Sequence, residues 1–204
     1  RIILSQGPID GYFGSGSGVA SQEQFHSARG LVKAFLEEPL MVPAVIRLGG
    51  NAEDKAVEIL EQINGRIPAP VEGYKKDDSP HFCAQRLKAL VEIYTPPDAT
   101  PKGREKPVAE RPYTFETVTG GTVILDHAVC TACESKVCVE ECVPQILALN
   151  EEGCPVLNIT PEEAKKGRCI ECLACDVACY FQGAGGGYVE LPIPGLEEYR
   201  EGQG

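Results

Sequence analysis

No stretch of this chain approaches the roughly 20 consecutive apolar residues that a membrane-spanning helix needs, so no membrane span is expected. Positive charge is also scarce: 19 Lys and Arg stand against 30 Asp and Glu, a formal net charge of −11. No basic stripe offsets that balance, so a phosphate backbone would be repelled and nucleic acid is not an expected partner. An acidic surface suits solubility and docking to a basic patch on another protein. Neither a secretory pattern nor an initiator methionine stands at Arg1. This points to a start lying upstream, gives no support for an oxidising compartment, and makes the cytoplasm the expected location.

Cysteine, by contrast, is concentrated. Eight of the ten cysteines fall between Cys130 and Cys179, in two runs. Cys130, Cys133, Cys138 and Cys142 are spaced C-x2-C-x4-C-x3-C, and Cys169, Cys172, Cys175 and Cys179 are spaced C-x2-C-x2-C-x3-C. Zinc also takes C-x2-C pairs, but one tetrahedral site needs only four ligands. Disulfides suit small secreted chains, and scattered core thiols would not keep such gaps.

The second spacing is that of a bacterial ferredoxin run, in which three thiolates of one loop hold one [4Fe–4S] cube and the fourth reaches the other cube. Around the runs, Tyr113–Thr119 and Thr122–Asp126 predict a hairpin turning at Gly120-Gly121. Ile146–Leu149 and Pro155–Ile159 flank a second turn at Asn150–Gly153. The arrangement resembles a two-cluster ferredoxin domain over about residues 122 to 192. The resemblance implies two [4Fe–4S] clusters, one held by Cys130, Cys133, Cys138 and Cys179, the other by Cys169, Cys172, Cys175 and Cys142.

This chain departs from that pattern in three places. Cys142 is followed by Val143-Pro144, Cys179 by Tyr180, and the C-x4-C gap adds two residues near Ser135 and Lys136, which predicts a bulge in the first loop. Glu134, Glu140 and Glu141 accompany the first run, whereas Lys165, Lys166 and Arg168 precede the second. Negative charge disfavours adding an electron to an anionic cluster, so the cluster on Cys169, Cys172 and Cys175 is expected to have the higher potential. Cys83, Cys154 and His127 are not expected ligands, because the eight other thiols complete two sites. Tyr180 and Phe181 are candidates to cover a cluster.

The first half of the chain reads differently. Arg1–Leu4 predicts a strand end, and Gly11–Gly18 a glycine-rich loop, either an anion cradle or a flexible connection. Ser21 and Gln24 form a capping-box pattern before a helix over about Gln22–Glu37. Met41–Arg47 is of strand length, Asn51 is placed to cap a second helix carrying Ala56, Ile59, Leu60 and Ile63, and Ser79-Pro80 opens a third. This order favours a parallel sheet with right-handed crossovers.

Val42–Glu53, with Ala56–Glu61 behind it, resembles the late part of the succinyl-CoA synthetase β subunit, and the likeness covers about residues 1 to 94. It implies the second half of a flavodoxin-like CoA-ligase domain. Ser5–Asp10 stands where that family has an F-G-G-I loop followed by Arg and Cys, no ATP-grasp segment is found in these residues, and His26 and His81 lack a matching context. The module alone is therefore not expected to make a thioester.

The expected fold is α/β plus α+β: a partial flavodoxin-like parallel-sheet module over 1–94, a proline-rich linker over 95–112, and a ferredoxin-like two-cluster domain over 113–204 with an extended tail. No nucleophile with an attendant base argues for chemistry on the chain itself. The expected function is electron transfer within a multi-subunit, anaerobic oxidoreductase. Its expected partners are a catalytic or flavin subunit and a soluble ferredoxin, with a link to acyl-CoA or 2-oxoacid metabolism. The alternative is a subunit of an acyl-CoA synthetase whose ferredoxin module is structural or redox-sensing.

Overall fold

The computed structural model describes residues 9–17 and 24–202. The strand expected at Arg1–Leu4 and the capping role of Ser21 lie outside those residues. The chain divides into two compact units, Arg1–Glu105 and Lys106–Gly204.

The first unit is an α/β arrangement built on a three-stranded parallel sheet in the order β1-β2-β3, with β1 Tyr12–Ser17, β2 Ala44–Gly49 and β3 Val71–Tyr74. Tyr12 pairs with Ala44, and Ala44 with Val71. All six residues of β2 are buried, as befits a central strand covered on both faces. Helix α1, Phe25–Glu37, turns Ala28, Val32, Phe35 and Leu36 inward, and Phe35 meets Tyr12 edge-on at 5.5 Å. Helix α2, Glu53–Glu61, packs against α1 and β3. On the opposite face, α3, Pro80–Ile93, sets Cys83 and Leu90 against Val45.

Two expectations change here. Of the glycine-rich segment, Tyr12–Ser17 is strand β1, not a loop, and Gly18 lies outside the described residues: the strand pairs in register with β2, and the side chains of Ile46 and Leu48 lie over Gly14 and Gly16. Asn51 does not cap α2. The cap position is Ala52, in the left-handed region at φ 53°, and the Glu53 carboxylate accepts the amides of Gly50 and Lys76, each at 3.1 Å. Strand β3 carries no clear apolar run of its own. Asn64 anchors it, donating to the Val71 carbonyl and accepting its amide, both at 2.9 Å. The start of α3 is as expected, with Ser79 Oγ accepting the Phe82 amide at 3.1 Å and Pro80 in the first turn.

The proline-rich segment has no regular structure until strand β4, Pro112–Glu116. Its middle belongs to the first unit: the Arg104 amide donates to the Leu36 carbonyl at 2.7 Å, at the end of α1.

In the second unit β4 pairs antiparallel with β5, Thr122–Asp126, as the hairpin pattern predicts. A further strand, Gly187–Glu190, completes the sheet on the other side of β5. Between them run the short helices α4, His127–Cys130, and α5, Val137–Glu140, then the hairpin of β6, Leu147–Leu149, and β7, Pro155–Leu157. Helix α6, Pro161–Glu163, continues into a π-helical turn, Ala164–Arg168, and α7 spans Ala174–Gln182. The last strand, β8, is thus Gly187–Glu190. The tail is not extended throughout: Leu196–Glu201 form helix α8, with Leu196 buried. Among the described residues no helix is long and apolar enough to cross a membrane.

Candidate metal centre

The first cysteine run hangs from the end of β5. Asp126 is buried there, and its carboxylate accepts the amides of Ala128 and Arg111 at 3.0 Å and of Glu110 at 3.1 Å. Burial pushes its pKa up, but those amides outweigh burial and hold it below the usual carboxylate range. Asp126 thereby caps α4, which carries Cys130, while α5 carries Cys138. The extra residues between Cys133 and Cys138 do more than bulge. Lys136 adopts a left-handed φ of 48° and donates from Nζ to the Cys130 carbonyl at 2.6 Å. The Cys133 thiol is raised by burial, yet the Lys136 amide and the Ser135 hydroxyl, 3.7 Å away, bring it below its ordinary value.

The second run begins after α6, which opens with a capping box: Thr160 Oγ1 accepts the Glu163 amide at 3.2 Å and Glu163 Oε2 accepts the Thr160 amide at 2.9 Å. From Cys169 to Cys175 the loop curls through two left-handed residues, Glu171 and Leu173. Glu171 Oε1 accepts the Thr119 amide at 3.0 Å and its hydroxyl at 2.8 Å, tying the loop to the β4–β5 turn. Helix α7 then carries Cys175 and Cys179, and the Gly187 amide donates to Cys179 Sγ at 3.3 Å.

These elements gather the eight thiols into two neighbourhoods. Burial pushes Cys130 up to about 12, and Cys179, Cys138 and Cys133 add to the effect, as does Cys154. Cys138 is pushed up to about 11 by burial, then by Cys179 and Cys133. Burial also raises Cys142, Cys169 and Cys175. Cys172 adds to all three, and Cys142 to the last two. Cys179 is raised by burial and, after two backbone amides oppose it, by Cys133. Thus Cys130, Cys133, Cys138 and Cys179 form one group, and Cys142, Cys169, Cys172 and Cys175 the other. All four thiols of the second group line one cavity of about 370 Å³, its open mouth included, with Phe115, Leu173 and Val189 among its apolar walls.

No family model, curated protein or solved structure matches the chain.

Among the described residues no group of three or more His, Cys, Asp or Glu side chains is placed to hold a single metal ion. A tetrahedral zinc site draws its sulfurs to ~2.3 Å from one centre. A cube spreads four thiolates over its corners and keeps them farther apart. The residues present fit such a group in two respects. Buried, mutually crowded thiols are poor places for negative charge until a metal offsets it. The Gly187 amide already donates to Cys179 Sγ at 3.3 Å, and backbone amides near Cys142 work against the rise that burial gives its thiol.

The other candidates have structural surroundings. Cys83 is buried among Val45, Leu87 and Leu90, and burial raises its pKa. His127 is buried, stacks on Tyr113 at 5.3 Å and places Nε2 3.0 Å from the Pro155 carbonyl oxygen. His81 is exposed, and His26 lies against Phe25. Cys154 is buried with Sγ 3.3 Å from Thr131 Oγ1, close to the first group. Tyr180 and Phe181 pack edge-on at 5.0 Å. The charge contrast between the runs is smaller than their composition suggests, because Lys165 is paired with Glu116 and Lys136 brings a cation to Cys130. Sequence reasoning passed over Asp176, a fully buried carboxylate on α7 between Cys175 and Cys179. An acidic residue inside the second run was the available signal.

Proposed function

We propose that the chain is an electron-transfer subunit that relays electrons through two [4Fe–4S] clusters, within a multi-subunit anaerobic oxidoreductase. The observation that carries this reading is that Cys142 of the first run lines one cavity with Cys169, Cys172 and Cys175 of the second, so that the two runs interleave. A set of four thiols suits one cube, and borrowing between runs suits two adjacent cubes. When bound, each cluster supplies a one-electron redox couple.

The chain's own residues do the rest. The amides at Cys133, Cys142 and Cys179 offset thiolate charge. Phe115, Leu173 and Val189 keep water from the second group. Catalysis then falls to a partner, which we take to be a catalytic or flavin subunit, with a soluble ferredoxin as the other carrier. We read the second unit as ferredoxin-like and the first as part of a flavodoxin-like CoA-ligase domain. Its parallel β1-β2-β3 order suits the latter, and the tie to acyl-CoA or 2-oxoacid metabolism rests on the resemblance of Val42–Glu53 alone.

Iron and acid-labile sulfide analysis of anaerobically prepared protein tests the reading. Near eight of each per chain is expected for two cubes, and zinc with little iron would remove it. In the assembled complex, Cys130→Ala or Cys172→Ala is expected to stop electron flow.

A further inference from the structure

We propose that Asp176 is a potential-setting residue that makes both redox centres harder to reduce. The inference rests on the two-cluster reading above. Asp176 stands on α7 one residue after Cys175, of the second group, and three before Cys179, of the first. Its side chain is 0 % exposed, and Oδ2 accepts the Val189 amide from β8 at 3.0 Å. The carboxylate is therefore fixed rather than swinging into water. Residues three apart on a helix are neighbours, so α7 sets Asp176 beside a thiol-bearing residue of each group.

Charge in such a place differs in kind from the exposed Glu134 and Glu140 near the first run. Water and salt screen a surface carboxylate, whereas a buried one is screened much less. Reduction adds one electron to a centre that is already anionic, so a fixed negative charge beside it opposes reduction. A single residue between the two groups opposes it at both. Asp176 forms and breaks no bond in the process, and each centre gains and later loses one electron.

The test is redox-titrated EPR on the full chain carrying its clusters, wild type against Asp176→Asn. Asparagine keeps an acceptor for the Val189 amide and removes the charge. At a fixed ambient potential the reduced-to-oxidised ratio is expected to rise about tenfold at both centres, or about 59 mV for each one-electron couple. Iron content and EPR line shapes should stay unchanged. A ratio that moves at neither centre, or at only one, overturns the proposal.

A second measurement needs only the wild type. Its potentials are expected to hold nearly constant as ionic strength rises from about 0.01 to 1 M. A tenfold rise in the reduced fraction with salt would place the opposing charge on the surface instead. Wild-type protein free of iron and sulfide would remove the two-cluster reading itself, a failure distinct from an unshifted Asp176→Asn.

Discussion

At Gly187 the backbone of β8 passes so close to α7 that a Cβ there would stand 2.0 Å from the Cys175 carbonyl oxygen. Backbone cannot move aside as a side-chain tip can, so Gly187→Ala is expected to displace β8 and lose the hydrogen bond that the residue 187 amide donates to Cys179 Sγ. A loss of about 3 kcal/mol or more in stability, together with reduced iron retention, would be seen by denaturant unfolding and metal analysis. Unchanged values would show that β8 adjusts freely. Asp126 offers a pH test. Its folded pKa is depressed, so its contribution is complete well above the ordinary aspartate value near ~3.9 and is lost as pH falls through the lower folded value. Asp126→Asn should therefore cost about 1–3 kcal/mol at neutral pH. The gap to wild type should close below about pH 4 in urea unfolding series.

Among the elements, the segment between β-structure and helices in the middle of the chain behaves less like a free spacer than its prolines suggest. Gly103 lies against the last turn of α1, where a Cβ would meet the Glu37 carbonyl oxygen at 1.9 Å, and Arg104 holds the Leu36 carbonyl. Gly103→Ala is expected to lift this stretch off α1. Faster proteolysis within residues 95–112 and a stability loss of about 1–3 kcal/mol are the expected signs, read by limited digestion and thermal unfolding. Equal cleavage rates would mean that the contact does not hold the segment. Capping was legible where side chain and helix are neighbours, as with Ser79-Pro80. It was misread at Asn51, because the amides of Gly50 and of the distant Lys76 both choose Glu53.

For the molecule as a whole, the interleaving of the two runs makes a prediction that linear grouping would not. Cys179→Ser should damage the same centre as Cys133→Ser, although Cys179 belongs to the second run. Cys142→Ser should instead resemble Cys172→Ser. Iron content and EPR of the four variants are expected to fall into these two pairs, and pairing by run would refute the grouping.

The eight thiols, their gaps and both hairpins could be read from local pattern, because C-x2-C spacing, alternation and glycine turns are properties of neighbours in the chain. So could α1, the start of α3 and the burial of β2. What no local pattern held was β8, which becomes a strand only because β5 offers it an edge, and β1, whose glycines look like a loop until β2 pairs with them in register. Asp176 is the same kind of case. In sequence it is one acid in an acidic chain, and only the folding of α7 beneath β8 removes it from water and sets it between the two groups of thiols.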